Sequence, residues 1–135
     1  MEINSQKVCD ELMWLVAHTK RIMHSIADEQ GLTSSQLLTL HSIEQHGDFA
    51  MSKVAEALHC DASNVTGIVD RLVIQDLVVR QEGEHDRRRK TLRLTPKGQQ
   101  AMAGFKVELT GRMGCDKLSD EDRAALQNIV QKMGV

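Results

Sequence analysis

The segment from Asp61 to Lys97 decides the fold, and it reads DASNVTGIVDRLVIQDLVVRQEGEHDRRRKTLRLTPK. Its first half repeats apolar residues at helical spacing on one face: Val65, Ile68, Val69 and Leu72. Its second half changes to β-branched or alternating residues over 77–81 and 90–95, on either side of a polar stretch, which is typical of a β-hairpin with an extended tip. The segment therefore predicts a helix, capped by Asp61 or Ser63, followed directly by a hairpin.

Three helices are predicted before this segment. Apolar positions spaced three and four residues apart form one long helix from Val8 to near Gly31. The capping box Thr33-Ser34-Ser35-Gln36 opens a second helix, which ends at Gly47, and Ser52 can cap a short third helix.

Two more helices are predicted after the hairpin. Thr95-Pro96 supplies a hydroxyl cap and a proline in the first helical position, and Ser119-x-x-Asp122 opens the last helix. Three short helices followed by a hairpin are the plan of a winged helix-turn-helix. The long flanking helices carry apolar stripes too wide to be covered within a 15.1 kDa chain, which indicates pairing of two copies, although packing of these helices on each other is the alternative.

Length and composition set the class of protein. The chain has 135 residues, within the usual range of about 100–200 residues for one domain. Its apolar fraction of 41% and charged fraction of 27% are those of a soluble globular protein. The longest apolar run, Leu12 to Ala17, is far shorter than a membrane span, and the N-terminus lacks a basic leader segment. We therefore expect no membrane association and a cytoplasmic location.

Charge is concentrated in one short region of the chain. Residues 80–97 hold seven Lys or Arg and three Asp or Glu, a net charge of +4, whereas the whole chain has a net charge of −2. A basic block in an otherwise acidic chain indicates a local anionic partner, with a solvated, salt-bridged surface as the alternative.

The outward face of the predicted fourth helix is small and polar. It consists of Ser63, Asn64, Thr66, Gly67, Asp70 and Arg71. Short side chains let a helix backbone approach base edges in the major groove, while hydroxyl and amide groups donate and accept hydrogen bonds and Arg71 reaches a phosphate. The carboxylate of Asp70 repels phosphates unless Arg71 or another cation neutralises it.

The hairpin tip carries four consecutive cations, Arg87, Arg88, Arg89 and Lys90, directly after Asp86. Two extended strands project such a tip away from the body, and the minor groove attracts it because narrow stretches concentrate negative potential. We expect the Asp86 carboxylate to bond an arginine and hold its guanidinium at a fixed angle.

Five stretches occur in a characteristic order: Gly31-Leu32-Thr33-Ser34-Ser35-Gln36, Val65-Thr66-Gly67-Ile68-Val69-Asp70-Arg71-Leu72, Leu77-Val78-Val79-Arg80, Asp86-Arg87-Arg88 and Leu94-Thr95-Pro96-Lys97-Gly98. In order and spacing they resemble the MarR family of bacterial transcription regulators. One departure is Asp76, where that family often has the glycine that closes the recognition helix, so a less tightly turned helix end is expected.

The resemblance implies a mainly α fold with a small β-hairpin wing. A single domain over 1–135 would hold the winged helix-turn-helix over 33–97, flanked by dimerisation helices over 3–30 and 98–135. It further implies an obligate homodimer with the recognition helix in the major groove and a wing arginine in the minor groove. Arg88 matches the wing motif Asp86-x-Arg88 and is the strongest candidate, with Arg87 and Arg89 auxiliary.

The function implied is a sequence-specific DNA-binding regulator, most often a repressor. It would read a palindromic operator with half-sites about 10 bp apart. The resemblance also implies control by a small aromatic or amphipathic ligand, bound between the dimerisation helices and the winged helix.

The sequence lacks the motifs of common catalytic, phosphate-binding and metal-binding sites. No nucleophile elbow, phosphate-cradling loop or H-E-x-x-H sequence occurs, so we expect no enzyme, no cofactor and no metal site. Cys9, Cys60 and Cys115 are expected to be buried structural thiols. Cys9 nevertheless has the position at which hydroperoxide sensors of the MarR family carry a reactive cysteine, so peroxide sensing is one alternative. A winged helix that binds protein is another, against which the polar helix face and the arginine tip argue.

Overall fold

The structure, a computed structural model, describes residues 4–47, 49–58, 62–83 and 85–135. This part of the chain holds α-helices α1 (Ser5–Glu29), α2 (Ser34–His46), α3 (Met51–Leu58), α4 (Ala62–Ile74), α5 (Pro96–Met113) and α6 (Asp120–Lys132), strands β1 (Phe49–Ala50), β2 (Val78–Glu82) and β3 (Lys90–Leu94), and a 3₁₀ turn (Cys115–Lys117). The prediction of a mainly α fold with a hairpin wing is confirmed.

The helix starts follow the predicted capping residues. The Thr33 hydroxyl accepts a hydrogen bond from the Gln36 amide at 3.1 Å, and the Gln36 side chain accepts one from the Thr33 amide at 2.9 Å. Ser119 and Asp122 form the same reciprocal pair at the start of α6. The predicted cap of α4 by Asp61 lies outside the described residues, whereas Ser63 lies within the first turn of α4 and is not its cap.

The sheet has one strand that the sequence analysis missed. The strand order is β1-β3-β2, and the two residues of β1 pair antiparallel with Leu92 and Thr91 of β3. Because β1 runs directly into α3 at Met51, the predicted cap Ser52 lies inside the helix, and that prediction is wrong. A strand of two residues has no periodicity from which it can be predicted.

The core of the winged helix lies between α2, α4 and the sheet. Three of the four predicted inward residues of α4 are buried, namely Val65, Val69 and Leu72, while Ile68 is half-buried. They pack with buried residues of the other elements, among which are Leu37, Leu40, Ile43, Leu92 and Met102. This packing fixes which side of α4 faces outward.

The end of α4 turns tightly despite its aspartate. Asp76 adopts φ of 60°, the left-handed conformation that glycine favours, and aspartate tolerates it better than most side chains. The Leu77 amide donates to the Leu72 carbonyl at 2.9 Å and the Asp76 amide to the Val73 carbonyl at 3.0 Å, which is the Schellman arrangement. The expectation of a looser helix end is therefore wrong.

Three elements meet immediately after this turn, at a place that we call the α4–β2–α5 corner (Asp76, Leu77, Thr95 and Gly98). The Thr95 hydroxyl donates to the Asp76 carbonyl at 2.6 Å and accepts from the Gly98 amide at 3.0 Å, while the Thr95 amide donates to the Leu77 carbonyl at 3.1 Å. A Cβ on Gly98 would lie 2.1 Å from the Leu77 carbonyl oxygen. Only glycine fits this contact between two backbones.

The long helices pack on each other only in part. The C-terminal half of α1 buries Ile26 and Ala27, and α1 contacts α5. Arg112 of α5 donates to Glu29 of α1 at 2.6 Å, and this hydrogen bond holds the pKa of the Glu29 carboxyl below its ordinary value. Toward the N-terminus, Leu15 and Val16, which the stripe placed inward, are about half exposed in the single chain.

The described residues lack both a membrane-spanning helix and a metal-binding cluster. None of the helices there is both long and apolar enough to cross a lipid bilayer. The same residues contain no group of three or more His, Cys, Asp or Glu side chains placed to hold a metal ion.

Candidate nucleic-acid interface

The outward face of α4 presents the side chains that the sequence predicted. Asn64, Thr66, Gly67 and Arg71 are exposed, and Asp70 is half-buried. The side chain of Ser63 lies outside the described part of the structure. A Cβ on Gly67 would meet no atom within 4 Å, so nothing inside the protein requires glycine there. Such a short residue leaves room for an external partner to approach the helix backbone.

A groove runs beside this face, between α4 and the start of α2. Asn64, Gly67 and Arg71 line one side of it, and Thr33 and Ser35 line the other. Thr33 and Ser35 were predicted only as parts of a capping motif, and their position opposite α4 was not predicted. The groove brings their hydroxyl groups to the same side of the molecule as Arg71, and hydroxyl and guanidinium groups are among those that bond phosphates.

The wing tip is a hydrogen-bonded turn. The Arg89 amide donates to the Asp86 carbonyl at 3.0 Å, and the Gly83 amide donates to the Arg89 carbonyl at 2.7 Å. A Cβ on Gly83 would lie 2.8 Å from the Asp86 carbonyl oxygen, so glycine permits this closure. The side chains of all four consecutive cations at the tip are exposed, as is that of Asp86.

Asp86 acts on the backbone of the tip. Its Oδ1 accepts a hydrogen bond from the Arg88 amide at 2.9 Å. The expectation that it would bond a guanidinium is wrong, because a short acceptor side chain reaches the amide two residues ahead, as in an Asx turn. Asp86 therefore sets the conformation of the turn that presents Arg88.

Two substitutions at Asp86 separate its geometry from its charge. Asn keeps the Oδ1 acceptor and removes a negative charge, so we expect Asp86→Asn to bind double-stranded DNA as tightly as the parent protein or more tightly. We expect Asp86→Ala, which loses the acceptor, to bind about three- to tenfold more weakly, in line with the loss of a hydrogen bond worth about 1 kcal/mol. Fluorescence anisotropy with labelled duplex measures both; equal losses in the two variants would contradict the backbone role.

An ion pair joins α4 to the wing. Arg80 of β2 donates to the carboxylate of Asp70 on the outer face of α4. The sequence left the neutralising cation open between Arg71 and another residue, and in the structure it is Arg80. Nothing in the sequence indicates that Arg80 meets Asp70.

The cysteines differ from expectation. Cys9 is exposed on α1 and Cys115 is half-buried, whereas Cys60 lies outside the described residues. The prediction of a buried Cys9 is wrong within one chain, because the N-terminal half of α1 packs on little of its own protein. Neither of the two described thiols is in a disulfide.

Comparison with known proteins agrees with this geometry. Residues 32–90 match the model of the MarR family. The HTH-type transcriptional repressor MdtR of Bacillus subtilis strain 168 is 31% identical over 110 residues, which are 78% of this chain and 70% of MdtR.

Two solved structures share the fold. A mutant MarR from E. coli complexed with operator DNA has a TM-score of 0.70 and 18% identity, covering 95% of this chain and 94% of that one. BpsR of Bordetella bronchiseptica, whose DNA binding is regulated by 6-hydroxynicotinic acid, has a TM-score of 0.71 and 23% identity, covering 96% and 99%. The resemblance in the sequence is thereby confirmed, and the chain belongs to the MarR family, which consists of DNA-binding transcriptional regulators and not of enzymes.

Proposed function

We propose that the protein represses transcription in the cytoplasm by binding palindromic double-stranded DNA as a homodimer. In each protomer the outer face of α4 enters the major groove and the wing tip enters the adjacent minor groove. The ion pair between Asp70 and Arg80 carries this proposal, because it shows that the polar face of α4 and the basic wing lie side by side. The shared fold with a MarR protein bound to its operator supports the same assignment.

Selection of binding sites from a random pool of duplexes tests the proposal. We expect the purified protein to enrich a two-fold symmetric sequence with half-sites about 10 bp apart, since a symmetric dimer places its two recognition helices about one helical turn apart. Enrichment of no sequence, together with no retention of any duplex at low ionic strength, would overturn it.

Direct reading of bases is assigned to the N-terminal part of α4, at Ser63, Asn64, Thr66 and Gly67. We expect Asn64→Ala to lose discrimination at one base pair of each half-site, worth about 1–3 kcal/mol, because an amide bonds base edges through a donor and an acceptor. Arg71→Ala removes a phosphate contact and serves as the control, because it should weaken binding to all sequences equally. The same site selection measures both variants, and an unchanged motif for Asn64→Ala would remove Asn64 from base reading.

The dimer interface is assigned to an apolar groove between α1 and α6. Val8, Leu12 and Leu15 line it from α1, and Ile129 and Met133 line it from α6. No residue of α6 is buried in the single chain, and Ile129 is 47% exposed. A helix without a buried face is not held in place in water, so a second copy is the occupant that stabilises α6.

A charge in this groove should separate the protomers. We expect Ile129→Glu to sediment as a monomer and to lose operator binding at concentrations where the parent protein is a dimer, because a buried, unpaired carboxylate is costly at an apolar interface. Gln131→Glu adds the same charge on the opposite side of α6 and should remain dimeric. A dimeric Ile129→Glu protein would move the interface elsewhere.

Control by a small aromatic or amphipathic ligand is part of the proposal, and the ligand-regulated BpsR supports it. The single tryptophan, Trp14, is 71% exposed on α1, so its fluorescence reports on ligand binding near the dimerisation helices. Titration of the protein–DNA complex with aromatic carboxylates, followed by release of the duplex, tests this part. No release by any of them would remove aromatic acids as effectors.

Peroxide control through Cys9 stays a prediction. Exposure makes the thiol accessible, but oxidation also needs a thiolate. Mass spectrometry after mild hydroperoxide treatment, paired with an operator-binding assay, decides the point: an adduct without loss of binding removes the redox role.

A further inference from the structure

A cleft lies between α3 and the wing, and of its lining residues Arg89 also belongs to the wing tip assigned to the minor groove. We call it the α3–wing cleft; it is lined by His46, Phe49, Lys53, Glu56 and Arg89. The pairing of β1 with β3 positions its walls, because β1 leads directly into the first turn of α3 while β3 leads back to the wing tip. The pairing of β1 with β3 therefore connects the two walls.

One wall of the cleft is aromatic. Phe49 is buried and stacks on the His46 ring, with centroids 5.1 Å apart and an interplanar angle of 16°. Of the described residues that line this wall, neither His46 nor Phe49 carries a negative charge.

Lys53 and Arg89 supply the charge. Lys53 lies in the first turn of α3, which carries no acidic residue. Its Nζ is 3.2 Å from Oε2 of Glu56, the one acid among the described residues that line the cleft. Both members of that pair are largely exposed, so the pair is weak and Lys53 can exchange Glu56 for another anion. The backbone of Arg89 is held at both its amide and its carbonyl, while its side chain is exposed.

We infer that the α3–wing cleft holds a phosphate of the operator backbone between Lys53 and Arg89. This inference rests on the proposed function: when the second helix of a helix-turn-helix lies in the major groove, the first helix, here α3, crosses the backbone. The wing enters the neighbouring minor groove, so the DNA strand that separates the two grooves passes between α3 and the wing. Arg89 is then a phosphate contact, distinct from the minor-groove role of Arg88.

Duplexes with single neutral methylphosphonates test the inference. Each half-site of the selected operator is scanned with one substitution at a time, against the parent protein, Lys53→Gln and Arg89→Gln. We expect one position per half-site at which the neutral linkage weakens the parent protein about tenfold, as for loss of a hydrogen bond between charged groups. At that position the loss should fall below about twofold in both variants, because the partner charge is already gone.

Two matched controls accompany these variants. Arg123→Gln breaks another exposed ion pair between residues three apart, Arg123–Asp120 on α6. It should show the same loss of affinity as the parent protein at every methylphosphonate position. Arg89→Lys keeps the positive charge, so a neutral linkage at the same phosphate should still weaken its DNA binding. If both cleft variants retain every loss seen with the parent protein, the inference is wrong while the proposed function stands; if the parent binds no duplex, both are wrong.

The alternative occupant is a free anion. Titration with inorganic phosphate, followed through the His46 ring resonances, is expected to show only weak binding without release of DNA. Tight binding of inorganic phosphate combined with an unchanged methylphosphonate pattern in the variants would assign the cleft to a small anion and overturn its assignment to the operator.

Discussion

Gly98→Ala should lower the free energy of unfolding by about 3 kcal/mol or more, although alanine is the better helix former by up to about 1 kcal/mol. The reason is the α4–β2–α5 corner. A Cβ at position 98 would lie 2.1 Å from the Leu77 carbonyl oxygen and 3.1 Å from its carbonyl carbon, and both belong to backbone. That carbonyl already accepts from the Thr95 amide, so it cannot move without losing a hydrogen bond.

Urea denaturation at one fixed protein concentration measures this effect. Gly104→Ala is the matched control, since it lies in the same helix and its Cβ would meet no atom within 4 Å. We expect Gly104→Ala to raise the free energy of unfolding by about 0.5–1 kcal/mol, from helix propensity alone. If both substitutions stabilise the protein, the close contact at the corner does not exist.

Arg88→Ala should weaken binding to every duplex by about 1–3 kcal/mol per protomer, the range for a hydrogen bond between charged groups. The Asp86 carboxylate fixes the Arg88 amide at the wing tip, so its guanidinium approaches DNA without a large loss of backbone freedom. Because one cation no longer displaces counterions, the slope of log affinity against log salt should fall by about 0.9 per wing.

Anisotropy titrations over a range of salt concentrations give both quantities. Arg123→Ala, on α6, removes the same charge far along the chain and should leave the slope unchanged. An Arg88→Ala slope equal to that of the parent protein would show that another tip residue makes the contact.

Local chemistry made most of the fold predictable. Thr33 with Gln36, Thr95 with Pro96, and Ser119 with Asp122 each satisfy backbone amides within their own turn, so the helix starts could be identified from short motifs. The hairpin followed from β-branched residues in the first strand and alternation in the second, on either side of a polar stretch. The exposed face of α4 followed from the burial of Val65, Val69 and Leu72.

What the sequence did not reveal depends on contacts between distant residues. Strand β1 exists because Phe49 and Ala50 meet β3, and Asp76 adopts its positive φ because the corner stabilises the turn. Arg80 and Asp70 are ten residues apart on different elements, so no helical or strand period brings them together. Leu15 and Val16 are about half exposed in the single chain, and periodicity does not show which neighbour covers an apolar stripe.

The corner at Leu77 also bears on how a signal would travel through the molecule. α4 ends there and the wing begins there. Three hydrogen bonds of Thr95, the cap of α5, join the start of α5 to both. In the proposed homodimer, a tilt of α5 would carry the end of α4 and the start of the wing with it, because both are hydrogen-bonded to Thr95. An effector acting on the long helices would then change the distance between the two DNA-binding units more than the internal geometry of each unit.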